Sequence, residues 1–202
     1  MPLGEHWEWR GFGRTSSEFR AWFQTLPPYY PPDDALLRDE YLWTPHSAHN
    51  IKLRYDALKI KRFLDREGDF ERWLEDPRDI LPFPLNPERL RQIQALLEVQ
   101  FPHIPGEPAP REAFLALVAQ AQPPVHRVMV LKQRRLNRWR LPSGEEIVVE
   151  WTHIRRPQAV ETAALEHEDL SVLTAAWKQL VPRLRGLRAM NYLQAIAGWM
   201  EV

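Results

Sequence analysis

Several short stretches of this chain alternate strictly between charged and apolar residues, and that period of two most constrains its fold. In 6–10, HWEWR, Trp7 and Trp9 alternate with His6, Glu8 and Arg10. In 51–55, IKLRY, Ile51, Leu53 and Tyr55 alternate with Lys52 and Arg54. In 57–64, ALKIKRFL, Leu58 and Ile60 alternate with Lys59 and Lys61. The long runs 125–140, VHRVMVLKQRRLNRWR, and 145–154, EEIVVEWTHI, carry a similar mixture around the turn Pro142-Ser143-Gly144. Successive side chains of a strand point to opposite faces, so each such strand has one apolar and one charged face.

Further strands are expected at 37–44 and at 158–166, where the alanines would also suit a helix. Residues 69–76 fit a helix or a strand. Helical spacing appears after Ser16–Ser17, with Phe19, Trp22, Phe23 and Leu26 on one side and Pro27-Pro28 as the stop. It appears again at 88–100 behind Asn86-Pro87, at 111–121, at 168–181 and at 190–200. Residues 27–34, PPYYPPDD, read as an extended loop.

About six strands thus present charged faces, while their apolar faces hold large residues that the helices can cover. Closing the sheet into a barrel would gather the charges inside. The expected fold is therefore α+β: an antiparallel β-barrel, or tunnel, with a charged interior and helices packed outside. It would be a single domain over 1–202, with a helical insert at about 86–122 and C-terminal helices at about 168–200. Arg10, Lys52, Arg54, Lys59, Lys61, Lys132 and Arg134 would converge in it with Glu8, Glu150 and Glu161. Like charges in a pore are costly unless an anion offsets them. Cations beside a few carboxylates suit phosphate oxygens together with a hard divalent metal such as Mg²⁺ or Mn²⁺. Such a metal could activate water for phosphoanhydride cleavage.

Composition narrows the alternatives. With no Cys, disulfides, thiolate metal sites and Cys nucleophiles are excluded. Formal net charge is zero, which gives no global pull towards nucleic acid or membrane. No apolar run approaches the ~18 residues of a membrane span, and no secretion signal is visible, so a cytoplasmic location is expected. GxxxxGK[ST], GxGxxG, GxSxG and HExxH are absent, and Gly is only 8 of 202 residues, so any phosphate binding must use side chains.

The ordered set of strands resembles the CYTH, or triphosphate tunnel, superfamily, which includes thiamine triphosphatases and class IV adenylate cyclases. HWEWR is similar to its first-strand ExExK, and Tyr41-Leu42-Trp43-Thr44-Pro45 to its YxDTP step. IKLR and LKIK resemble its basic pair, and LKQRR at 131–135 its KxR strand. VEWTHI at 149–154 and AVETA at 159–163 resemble its late acidic strands. The chain departs from the pattern at His6, Trp43, Thr152 and Ala163, where carboxylates are expected. The resemblance implies that Arg10, Lys52, Arg54, Lys59, Lys61, Lys132 and Arg134 bind phosphate. It implies that Glu8, Glu150 and Glu161 hold Mg²⁺ or Mn²⁺ and serve catalysis in a metal-dependent triphosphatase. The expected function is binding, with or without hydrolysis, of a triphosphate compound or polyphosphate. The alternative is a catalytically degenerate scaffold that binds another anion or a protein partner. Single-stranded nucleic acid is disfavoured by the zero net charge and by the helices needed over the aromatic faces.

Overall fold

The computed structural model describes residues 4–30 and 35–201, so the last four residues of the 27–34 loop lie outside the described residues. Eight strands form the body: β1 (Gly4–Gly13), β2 (Leu37–Trp43), β3 (Asn50–Arg54), β4 (Ala57–Glu67), β5 (Phe70–Glu75), β7 (His126–Arg140), β8 (Glu146–Arg156) and β9 (Val160–His167). Two three-residue strands, β6 (Ile80–Pro82) and β10 (Leu187–Ala189), pair with β4 and β1 respectively. The hydrogen-bonded order β1-β5-β4-β3-β2-β7-β8-β9 returns from β9 to β1. That return closes an antiparallel eight-stranded barrel. One strand makes the closure: residues 4–9 of β1 pair with β5 and residues 7–13 with β9. Where β1 ends, Gly13 has φ 151°, and a Cβ there would lie 2.1 Å from the Gly186 carbonyl oxygen. Glycine is thus required by both conformation and space.

Five helices cover the barrel: α1 (Ser17–Thr25), α2 (Pro87–Leu97), α3 (Arg111–Ala119), α4 (Leu170–Leu180) and α5 (Tyr192–Met200). Their starts follow capping chemistry. Ser16 accepts from the Phe19 amide, Asn86 precedes Pro87 at the first position of α2, and Asn191 with Gln194 forms a capping box on α5. The helices divide the apolar residues into three clusters. Leu42, Ile51, Leu53, Leu58 and Ile60 on the outer faces of β2–β4 pack under Leu90, Ile93, Leu97, Phe114 and Leu117 of α2 and α3. Trp9, Val149, Trp151, Ala163 and Leu165 on the outer faces of β1, β8 and β9 pack under Phe19 and Phe23 of α1 and Leu173, Ala176 and Leu180 of α4. Full burial of each such side chain contributes about 1.5–3 kcal/mol, so these two faces fix which side of every strand looks outward.

The third cluster lies inside one end of the barrel. Inward-facing Phe12, Tyr41, Val130 and Ile154 meet Tyr192, Ala195 and Ile196 of α5. Tyr192 stacks on Tyr41 with ring centroids 5.4 Å apart and meets Phe12 edge-on. The last helix therefore fills that end, and the interior charges lie between it and the opposite mouth.

The charged interior, the outer helices and the antiparallel pairing agree with expectation. The stretch 69–76 is the strand β5, 158–166 is the strand β9, and β4 runs three residues beyond its expected end at 64.

Candidate functional site

Every one of the seven expected phosphate-binding cations lines one cavity of about 280 Å³. Lys52 and Arg54 come from β3, Lys59 and Lys61 from β4, Lys132 and Arg134 from β7, and Arg10 from β1. Glu8, Glu75, Asp76 and Glu150 are the carboxylates of the lining, with Trp73 and Tyr192 as its aromatic surfaces. On β3, β4 and β7 the cations fall at i and i+2, so the period that turns Ile51, Leu53, Leu58 and Ile60 outward turns them inward.

On the basic side, Asp39 of β2 is fully buried and sits among three cations. Arg54 grips it with two hydrogen bonds of 2.6 Å each, Lys132 lies 3.0 Å away and Lys52 3.9 Å. Burial alone would raise the Asp39 carboxyl, but Lys132, Lys52 and Arg54 hold it well below the usual carboxylate range. Burial pushes the Lys132 ammonium down to about 8 against the pull of Asp39, and pushes Lys52 well down too. The Lys132 Nζ also donates to the Tyr41 hydroxyl at 3.2 Å and stands 4.1 Å from the Tyr192 ring centre. Lys52 and Lys59 are direct partners across the β3–β4 pair. Like charges in that register repel. Lys59 has no ion-pair partner among the described residues, and burial lowers its pKa.

The opposite side is acidic. Arg10 donates from Nε to Glu8 at 2.6 Å and from Nη1 to Glu150 at 2.7 Å, with Thr162 at 3.4 Å. Lys61 donates to the other oxygen of Glu8 at 2.6 Å and stands 3.3 Å from Glu75. Burial would raise Glu8, but Arg10 and Lys61 bring it to about 2. Glu150 is held low in the same way, by Arg10 and Arg134 against its burial, and accepts from the Thr152 hydroxyl at 2.9 Å. Glu166 of β9 is paired in register with Glu8. Burial raises it to about 7, with Glu8, Glu150 and Glu75 adding to the rise and Lys61 opposing it, and the Arg10 guanidinium lies 4.0 Å away. His6, also fully buried, is lowered to about 4 by burial and by Lys61.

The expected set of Glu8, Glu150 and Glu161 does not assemble. Glu161 faces outward on β9, where it accepts from the Thr15 amide and hydroxyl at 2.7 and 2.6 Å and lies 3.4 Å from His153. Glu8 and Glu150 do face the cavity, but Arg10 stands between them with a hydrogen bond to each. The residues present therefore do not fit a three-carboxylate Mg²⁺ or Mn²⁺ site at those positions. Among the other departures, His6 and Thr152 face inward, Ala163 packs outward beneath α1 and α4, and Trp43 joins the apolar cluster at the α5 end. The acids that sequence reasoning missed include Asp39, Glu71, Glu75, Asp76 and Glu166. Of these, Glu71 accepts from Asn191 at 2.8 Å and from Arg66.

No family model matches the chain, and no curated protein matches it. Among solved structures it is similar to the PH1819 protein from Pyrococcus horikoshii OT3, at 10% sequence identity and a TM-score of 0.46, over 95% of this chain and 98% of that one.

Proposed function

We propose that the cavity binds the phosphate chain of a small polyanion, either inorganic triphosphate or the triphosphate end of a small molecule. The observation that carries this reading is the facing pair Lys52 and Lys59, with no carboxylate partner for Lys59 among the described residues. An anion between them would turn their repulsion into attraction and offset the cost of burying them. Trp73 lines the cavity as well, and its indole N–H is buried without a hydrogen-bond partner among the described residues. The volume of about 280 Å³ lies just below the roughly 300–1,000 Å³ usual for ligand sites. It suits a short phosphate chain better than a whole nucleotide. The order of charged strands, which resembles the CYTH superfamily, points the same way. The reading is one of binding, because the carboxylates expected to hold a catalytic metal do not converge.

The test is calorimetric titration of inorganic triphosphate into the chain in the presence of chelator, with sulfate as the comparison anion. Binding of one equivalent, much tighter than sulfate, is expected. Lys52→Ala with Lys59→Ala should weaken it at least tenfold, since each charge-assisted hydrogen bond contributes about 1.5–3 kcal/mol. Triphosphate binding no tighter than sulfate would overturn the proposal. Phosphate release measured with and without Mg²⁺ or Mn²⁺ then separates a binder from a hydrolase.

A further inference from the structure

The open mouth of the barrel, opposite α5, carries a feature that phosphate binding leaves unused. Seven large apolar side chains are exposed among the described residues, and four of them, Tyr30, Leu36, Tyr55 and Ile80, stand at this mouth. Tyr30 and Ile80 belong to the cavity lining itself, at 54% and 43% exposure. β2 runs from Leu37 at the mouth to Tyr41 at the α5 end, with Asp39 between them paired to Arg54. Leu36, just before β2, and Tyr55, just after Arg54, therefore stand one residue outside the charged layer.

The four occupy neighbouring positions round the barrel. The Tyr29 amide donates to the Leu136 carbonyl oxygen, which ties Tyr30 to β7. Next in the order come Leu36 at β2, Tyr55 in the turn between β3 and β4, and Ile80 of β6, which pairs with Lys59 of β4. Tyr55 takes φ 54°, a left-handed conformation that is strained for a bulky residue. Two-residue hairpin turns with such a conformation usually place Asn or Gly there. Arg111 of α3 holds the turn, donating to the Tyr55 carbonyl oxygen at 2.9 Å and lying 3.8 Å from Asp56. Tyr55 itself is left 75% exposed. Single exposed apolar residues are ordinary, whereas a contiguous set at the rim of a ligand cavity marks a contact site.

We propose that the ligand of this cavity carries an apolar hydrocarbon tail on its phosphate chain, and that the tail lies across Tyr30, Leu36, Tyr55 and Ile80. This rests on the phosphate-binding reading above and narrows it. A cavity of about 280 Å³ is filled by a short phosphate chain, so a group joined to that chain has to leave by the mouth and cross these four residues. The polar side-chain atoms of the four are two tyrosine hydroxyls, on exposed residues. Strong selection of a nucleobase needs buried polar groups matched to its edges, and the arc offers apolar contact in their place. Asp76, also in the lining, already accepts from Arg78 at 2.6 Å and so adds little repulsion towards a phosphate. A charged interior that gives way to an apolar rim matches an amphiphile, phosphate head inward and tail outward.

The test is calorimetric titration of the full chain, with chelator present, against pyrophosphate, geranyl diphosphate, farnesyl diphosphate and ADP, each below its aggregation concentration. Each buried methylene multiplies affinity about fourfold, so geranyl diphosphate should bind tighter than pyrophosphate by about tenfold or more. Farnesyl diphosphate should bind at least as tightly, ADP no tighter than pyrophosphate, and inorganic triphosphate should displace the geranyl compound. Tyr30→Ser with Ile80→Ser should cut the ratio of geranyl diphosphate to pyrophosphate affinity by about fivefold or more. That ratio is taken within one protein, so any general loss of stability cancels. Geranyl diphosphate binding no tighter than pyrophosphate overturns the proposal with the unaltered chain alone, and leaves the phosphate reading standing. ADP as tight as geranyl diphosphate, or an unchanged ratio in the folded double variant, overturns it as well. If neither pyrophosphate nor inorganic triphosphate binds, the phosphate reading itself fails and this inference falls with it.

Discussion

The two sides of the barrel lining are short of opposite things. On β2, β3, β4 and β7 a single buried carboxylate, Asp39, serves Arg54, Lys132 and Lys52, and the next lysine, Lys59, has no ion-pair partner among the described residues. On β1, β8 and β9 Arg10 is engaged by Glu8 and Glu150, and it is Glu166 that lacks a hydrogen-bonded partner among the described residues. A buried charge is tolerated when its partner is close and hydrogen-bonded, as Arg54 and Asp39 are. Each side therefore completes its first layer of pairs and leaves one group over, Lys59 on the cavity wall and Glu166 buried inside the barrel.

The comparison can be broken most severely at Asp39. Asp39→Asn would leave Arg54, Lys132 and Lys52 buried together without their shared counter-charge, a change of the kind that costs about 3–5 kcal/mol. The urea midpoint should drop accordingly, and a drop of under 1 kcal/mol would mean that solvent reaches this side. Next in size is a split of signs at Lys52 and Lys59. Removing both should weaken triphosphate binding at least tenfold yet leave the free protein no less stable, because a repelling pair has gone. Parallel loss of affinity and Tm would show that the pair supports the fold instead.

A smaller effect should appear with pH. Lys132 titrates at about 8 in the folded chain, below the free lysine value of about 10.4. Its charge, and with it triphosphate affinity, should fall as pH rises from 7 to 9. The same shift means that the folded state gains stability relative to the unfolded chain between about pH 8 and 10.4, where only the unfolded lysine keeps its proton. Lys132→Arg, charged throughout, should flatten the affinity profile; an unchanged slope would place the titration elsewhere. The smallest change belongs to Tyr192→Phe. The ring keeps its stacking on Tyr41 and its place beside Lys132, and the lost hydroxyl is buried without a hydrogen-bond partner among the described residues. Tm should stay level or rise slightly, and a large fall would reveal an unrecognised bond to that oxygen.

The barrel was legible because its outer residues are unambiguous. Ile51, Leu53, Leu58 and Ile60 can face only the helices, which sends Lys52, Arg54, Lys59 and Lys61 inward. The acidic side was harder to read. In β9, ETAALE holds Ala163 and Ala164 side by side, so either face could be the apolar one. Taking Glu161 as inward placed every side chain of that strand on the wrong face and hid Glu166. The clue was Leu165, the one large apolar residue, which packs outward with Val149 and turns 162, 164 and 166 inward. Asp39 was hidden because LRDEYLW mixes charge and bulk on both faces. Strands of three residues such as β6 and β10 are too short to show any period. Tyr192 enters the cavity from a helix, and no strand pattern announces it.

The closure through β1 has a consequence for how the chain acquires this interior. Arg10 finds its partners Glu150 and Thr162 at sequence separations of 140 and 152 residues. Pairings that distant are slow to form, since a long loop must be ordered before any contact rewards it. The sheets β2 to β5 and β7 to β9 can each grow by neighbouring hairpins, while β2 must find β7 and the far edge of β1 must find β9 across long stretches of chain. During that interval the future interior is open to water, and its lysines, arginines and glutamates stay hydrated where an apolar lining would collapse or recruit another chain. The charges that make the finished cavity selective thus also keep the unfinished sheet soluble, and a variant with an apolar lining should aggregate on refolding even where its native state is stable.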